Sequence, residues 1–190
     1  YAAIEVFESP TMIQIAEWQH NKTPVQKQIS VLREITQRLV DAAGAESVYY
    51  SLENNTLGEA ALVAISEIGE ENIPGIFLTE PARSGTSRRH RKGFTTTNKS
   101  KLSACAKLKN LVETDRIVLK SHNLIGELKN FISSGASFAA KTGETDDLVL
   151  ALVLIVRMMQ LIKDYHADLD QYVTDRSQEI IEPLPFVAMF

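Results

Sequence analysis

Cysteine is nearly absent: one thiol, Cys105, occurs in 190 residues, alongside a single tryptophan. A lone thiol closes no internal disulfide, and no Cys/His cluster has zinc-ligand spacing, so the chain reads as a protein of a reducing compartment such as a cytoplasm. Long apolar runs are missing too. The longest, residues 148–156, falls well short of the roughly 20 residues that cross a bilayer, and no charged-then-apolar leader opens the chain, so a soluble protein with no membrane partner is expected. No Gly-Lys-Thr/Ser loop is present, which excludes a nucleotide-driven motor of the P-loop kind within these residues. His20, His122 and His166 have no spacing partners and Cys105 has no nearby base, so none of them is assigned chemistry.

Acid is locally missing as well. Between Pro81 and Val112 there is no Asp or Glu, while Arg83, Arg88, Arg89, Arg91, Lys92, Lys99, Lys101, Lys107 and Lys109 supply nine of the twenty Lys+Arg. The formal charge of -4 therefore hides a basic segment inside an otherwise acidic chain. Such a run is either a solvated or partner-binding surface or a grip for phosphates that does not read bases. The density of Arg88-Arg89-His90-Arg91-Lys92 favours the phosphates.

Hydrophobic residues make up 44% of the chain, enough for one sizeable core. Residues 2–7 and 12–18 read as two strands joined by Glu8-Ser9-Pro10-Thr11. Thr23 as N-cap and Pro24 as first helical residue open a helix whose Val25, Ile29, Leu32, Ile35 and Leu39 repeat at helical spacing until Gly44. Further strands are predicted at 47–52, 76–79, 116–120 and 136–140, and helices at 56–68, 100–112, 122–132 and 146–164, with a long irregular segment at 80–98. The helix after Asp146 is apolar around its circumference, from Leu148 to Val156, and should be buried on most sides. The alternation predicts an α/β domain over 1–172, a mixed sheet with helices on its faces, followed by an irregular tail over 173–190.

Two places can carry chemistry. Glu53 follows the apolar strand Val48-Tyr49-Tyr50-Ser51-Leu52, at the strand end where ligands of open α/β sheets collect; a solvated loop acid is the plainer alternative. Asp146-Asp147 opens the buried helix, where one acid is ordinarily a cap but two adjacent carboxylates at a core edge repel, and a cation would relieve them. Magnesium needs only one or two carboxylates per ion, so separated acids can share a site, and a pair of ions can clamp a phosphodiester.

Ser51-Leu52-Glu53-Asn54-Asn55 with Leu57-Gly58, then Thr95-Thr96-Thr97-Asn98-Lys99-Ser100-Lys101, then Thr145-Asp146-Asp147-Leu148-Val149, resemble in that order the nuclease domain of tailed-phage terminase large subunits of the myovirus type, over residues 1–159. The resemblance implies a ribonuclease H-like fold, three acids holding Mg2+ or Mn2+, and cutting of concatemeric double-stranded DNA during genome packaging in the infected host's cytoplasm. It further implies the terminase ATPase domain, the small terminase subunit and the portal as partners. Glu53 matches the second acid and Asp146 or Asp147 the third, with Asp146 preferred and Asp147 its neighbour in the metal shell; Arg83, Arg88, Arg89, Arg91, Lys92, Lys99 and Lys101 would hold DNA. The first acid, on a central strand just before the hairpin, has no match here: Glu5 lies within a strand and Glu8 in the turn, so it is expected before Tyr1. A non-catalytic DNA-gripping module and a junction-resolvase-type nuclease stay open as alternatives.

Overall fold

A computed structural model describes residues 2–81, 92–135, 137–165 and 186–189. β1 (Ala2–Glu8) and β2 (Ile13–His20) form the expected hairpin, antiparallel, with a bulge between Val6 and Phe7. β1 alternates as strands must: Ile4 and Val6 enter one core while Ala3 and Phe7 enter another. That alternation makes the strand the partition between two helical layers.

On the first face lie α1 (Val25–Ala43) and α2 (Thr56–Ile68). The stripe of α1 buries Ile29 and Leu32 against Ile4, Val6, Tyr50 and Leu52, with Ala61, Ala64 and Ile65 from α2. Gly44, at φ 87, ends α1 by donating its N–H to the Val40 carbonyl, a backbone angle that L side chains rarely adopt. Pro24 rather than Thr23 occupies the N-cap, and no side chain caps that end. α1 is thus held chiefly by its apolar stripe.

On the second face runs α5 (Asp147–Tyr165), packed against β1 and flanked by α3 (Asn98–Glu113) and α4 (His122–Asn130). Having neighbours on several sides explains why Leu148, Val149, Leu152, Ile155 and Met158 are all fully buried around one helix. α3 begins two residues before the predicted start because Thr97 and Ser100 form a reciprocal capping box.

The main sheet has the order β2-β1-β7-β3-β4, where β3 is Val48–Ser51, β4 is Ile76–Phe77 and β7 is Phe186–Met189. β7 pairs antiparallel with β1 and parallel with β3, and β3 is parallel to β4, so the sheet is mixed as expected. Part of the tail predicted to be irregular is therefore the central strand of the sheet.

One other strand expectation fails for a local reason, and another is met outside the main sheet. Residues 116–120 make only one bridge, Ile13 to Val118, because Gln14 Oε1 accepts the backbone N–H groups of Lys120 and Ser121, both at 2.8 Å, in place of a ladder. The 136–140 segment does supply a strand, β6 (Ser137–Ala140), but it pairs with β5 (Phe131–Ser134) in a separate hairpin. β5 takes over where α4 stops, two residues before its predicted end at Ile132.

Candidate metal and DNA site

β3 is fully buried, and Ser51 fixes its end by donating its hydroxyl to the Leu78 carbonyl at 2.8 Å. Beyond it the chain runs on beside the returning segment 92–96. Phe94 N–H donates to the Leu52 carbonyl and Asn54 N–H to the Phe94 carbonyl, each at 2.9 Å, and Glu53 bridges Phe94. Asn54, 1% exposed, donates through Nδ2 to the Lys92 carbonyl and accepts from Thr95 Oγ1, both at 2.9 Å. The Glu53 carboxylate is oriented by Asn55, whose Nδ2 donates to Oε1 at 3.0 Å.

Two glycines make this crowding possible. A Cβ on Gly58 would sit 1.6 Å from the Glu53 carbonyl oxygen, and one on Gly93, at φ 77, would sit 2.6 Å from that of Leu52. The Leu57-Gly58 step of the sequence motif thus has a steric cause: α2 starts directly against the backbone of Glu53.

The two aspartates face different surroundings. Asp146 precedes α5; its Oδ2 accepts the Ala140 N–H at 3.2 Å and its carbonyl takes the Leu150 N–H at 2.8 Å. Asp147, the first helical residue, lines a cleft of about 240 Å3 together with Glu53, Ala2, Leu52, Gly58 and Leu150. The resemblance favoured Asp146 over Asp147 as the primary acid, and of the two it is Asp147 that lines a cleft with Glu53. Asp146 instead turns its carboxylate to the Ala140 N–H. Burial pushes the Asp147 carboxyl above the ordinary aspartate range, and the nearby Glu127 and Asp146 carboxylates add to that.

Two further acids, Glu127 and Glu5, are buried near this site. Glu127, 8% exposed, projects from α4 to the start of α5: its Oε2 accepts the Leu148 and Val149 N–H groups at 2.8 and 3.2 Å, and its Oε1 accepts Thr145 Oγ1 and Gln19 Nε2, each at 2.8 Å. A carboxylate there satisfies orphan amides and meets the positive end of the helix dipole. It fixes the turn that presents Asp147. Its signal in the sequence was an acid between Leu124 and Leu128 on the apolar stripe of α4. Glu5 is completely buried, directly opposite Glu17 across the hairpin, and its signal was an acid at an inward strand position.

The basic residues fall in several places. Arg83, Arg88, Arg89 and Arg91 lie outside the described residues. Lys92 pairs with Glu70, Lys101 sits 5.5 Å over the Phe131 ring, Lys109 reaches Glu113 at 3.6 Å, and Lys99 is exposed in the first turn of α3. The described lysines thus have separate surroundings.

Among the described residues no three Asp, Glu, His or Cys side chains converge closely enough to hold a metal ion. Glu53 and Asp147 line one cleft, and two carboxylates can suffice for one hard cation that keeps most of its water. A two-ion clamp would need more oxygen ligands than these two carboxylates offer. No known family model matches the chain.

Proposed function

We propose that the chain is the metal-dependent nuclease domain of a phage DNA-packaging enzyme, of ribonuclease H-like type, cutting double-stranded DNA with little regard for base sequence. The observation that carries this reading is the shared cleft of Glu53 and Asp147, which come from distant parts of the chain to the end of a parallel strand. The mixed sheet between two helical layers and the position of the basic segment's root beside Glu53 support it further.

Mg2+ or Mn2+ held by Glu53 and Asp147 would supply Lewis acidity toward a phosphodiester and lower the pKa of an attacking water. The chain's own residues prepare for this. Asn55 orients Glu53, Glu127 fixes the turn bearing Asp147, and Leu52, Ala151 and Leu154 give the cleft an apolar lining that strengthens charge interactions beside it. Arg83, Arg88, Arg89, Arg91, Lys92, Lys99 and Lys101 would take the DNA backbone, while the ATPase domain, small subunit and portal would be the assembly partners.

A DNA-gripping module without catalysis is the second reading, and one observation favours it. β7, beside β3 at the sheet centre, is Phe-Val-Ala-Met and brings no carboxylate to the site. Plasmid cleavage in Mn2+ or Mg2+ separates the two. The nuclease reading expects cutting that falls at least 100-fold in Glu53→Ala and Asp147→Ala and less in Asp146→Ala. Salt-sensitive binding without cutting by the wild type would select the gripping module, and cutting unchanged in both Glu53→Ala and Asp147→Ala would sink the site assignment.

A further inference from the structure

The two candidate acids stand on elements that the main sheet does not join directly. Glu53 follows β3, whereas Asp147 opens α5, which packs on β1, two strands away from β3 in the sheet. A polar link between them runs through Arg157, the only charged residue between Asp147 and Lys163. It is 7% exposed, and burying a guanidinium demands partners for its donors. Nη2 donates to the Thr95 carbonyl at 3.1 Å and to Glu80 Oε2 at 3.0 Å, Nη1 donates to Thr96 Oγ1 at 3.2 Å, and the guanidinium lies 5.1 Å over the Phe94 ring.

The strap 94–96 that Arg157 holds is also the backbone neighbour of Glu53. Phe94 N–H donates to the Leu52 carbonyl and Asn54 N–H to the Phe94 carbonyl, so Glu53 is bracketed by two bonds of 2.9 Å to one strap residue. Thr95 is gripped from both sides, by Arg157 through its carbonyl and by Asn54 Oδ1 through its hydroxyl. Arg157 stands ten residues, about 15 Å, along α5 from Asp147. One helix therefore carries an acid at its start and, further along, the fork that holds the strap paired with the other acid. Apolar packing is non-directional, whereas a planar guanidinium bonded to three acceptors fixes both distance and angle.

We infer that Arg157 is a positioning residue that sets the spacing of the Glu53 and Asp147 carboxylates, and with it the affinity of their cleft for a single divalent cation. This rests on the metal-site reading above. Arg157 lies too far along α5 to touch a cation at Asp147, so it acts through the strap.

The test titrates Mn2+ alone, without DNA, following the free ion by electron spin resonance. Wild type should bind the ion, and Glu53→Ala and Asp147→Ala should each weaken it by about tenfold or more. Arg157→Met with Glu80→Gln removes both charges together and leaves no buried ion unpaired. It should also lose about tenfold, the usual effect of removing a residue that supports metal ligands. Arg157→Lys, a point charge without the fork, should recover only part of the affinity. Each titration is run well below the variant's unfolding temperature, where a residue that merely stabilises the fold would leave affinity unchanged. Amide exchange at Phe94 and Asn54 should speed by about tenfold in the double variant while amides of β1 and α1 keep their rates. Thr96→Val, which takes one acceptor from the fork, should cost about threefold in affinity and decides the matter if the double variant does not fold. Affinity equal to wild type in the double variant, or in Thr96→Val where that variant stands in for it, would overturn the inference and leave the site reading intact. A wild type that binds no Mn2+, or binds it equally after Glu53→Ala and Asp147→Ala, would fail the site reading, and the inference would fall with it.

Discussion

Replacing Glu5 by glutamine should stabilise the protein above pH 8 and change little near pH 5. Glu5 is fully buried on β1; its Oε2 accepts from Gln14 Nε2 at 2.9 Å, and its Oε1 has no partner among the described residues. Burial pushes its carboxyl up to about 8 from the ordinary 4.5, the Gln14 hydrogen bond opposes this, and the Glu17 and Glu127 carboxylates reinforce it. Because the folded value lies above the unfolded one, the stability gained is fully present below pH 4.5 and is lost as the pH rises through about 8. At about 1.4 kcal/mol per pH unit that interval corresponds to about 5 kcal/mol, an upper figure because local relaxation shields a buried charge. A glutamine keeps the acceptor for Gln14, never ionises, and offers an N–H toward the two remaining carboxylates. Urea denaturation should therefore show Glu5→Gln ahead of wild type by about 2 to 5 kcal/mol at pH 8.5 and by under about 1 kcal/mol at pH 5. A difference that stays constant between the two pH values, or a variant weaker than wild type at pH 8.5, would refute the picture of a carboxyl held neutral by burial.

Three further outcomes follow from the same geometry. Gly58→Ala should cost about 2 to 4 kcal/mol in urea denaturation, since its methyl would fall 1.6 Å from the Glu53 carbonyl oxygen and the start of α2 must shift; a loss under about 0.5 kcal/mol would contradict the close approach. Thr97→Ala removes the hydroxyl that accepts the Ser100 N–H, so thermal unfolding should report a loss of about 1 kcal/mol, and no loss would mean that α3 does not depend on its capping box. Exchanging Arg83, Arg88, Arg89, Arg91 and Lys92 for serine should lower the slope of log affinity against log salt by at least about 2 in a duplex-binding titration, each lost phosphate contact removing up to about 0.9; an unchanged slope would place the DNA elsewhere.

What was legible in the sequence was local. The hairpin, the stripe of α1, the buried α5 and the strand end at Glu53 each announce themselves through a period of two or 3.6 or through a change from apolar to polar residues. What was not legible depends on partners distant in the chain. The run Phe-Val-Ala-Met at 186–189 is a good strand by composition, but Pro183 and Pro185 beside it suggested irregular chain, and parallel pairing with β3 leaves no turn in the sequence to mark it. The same holds for 116–120, where the Val118 N–H donates to the Met12 carbonyl and the Lys120 N–H to the Gln14 side chain, each more than a hundred residues away.

The candidate site divides along the same line. Asp146 and Asp147 are equivalent as letters, and their difference is that one precedes α5 and the other opens it, at a helix start that Glu127 helps to fix from another helix. Arg157, Glu127 and Glu5 were visible only as charged residues on apolar faces. Such a residue costs stability unless something satisfies it, so each points to a neighbour that must exist. For Arg157 that neighbour is the strap 94–96 beside Glu53, and for Glu127 it is the turn presenting Asp147. For Glu5, with one oxygen unmatched, the missing neighbour is a proton, so the sheet beneath α5 should be steadiest at the pH where that proton stays.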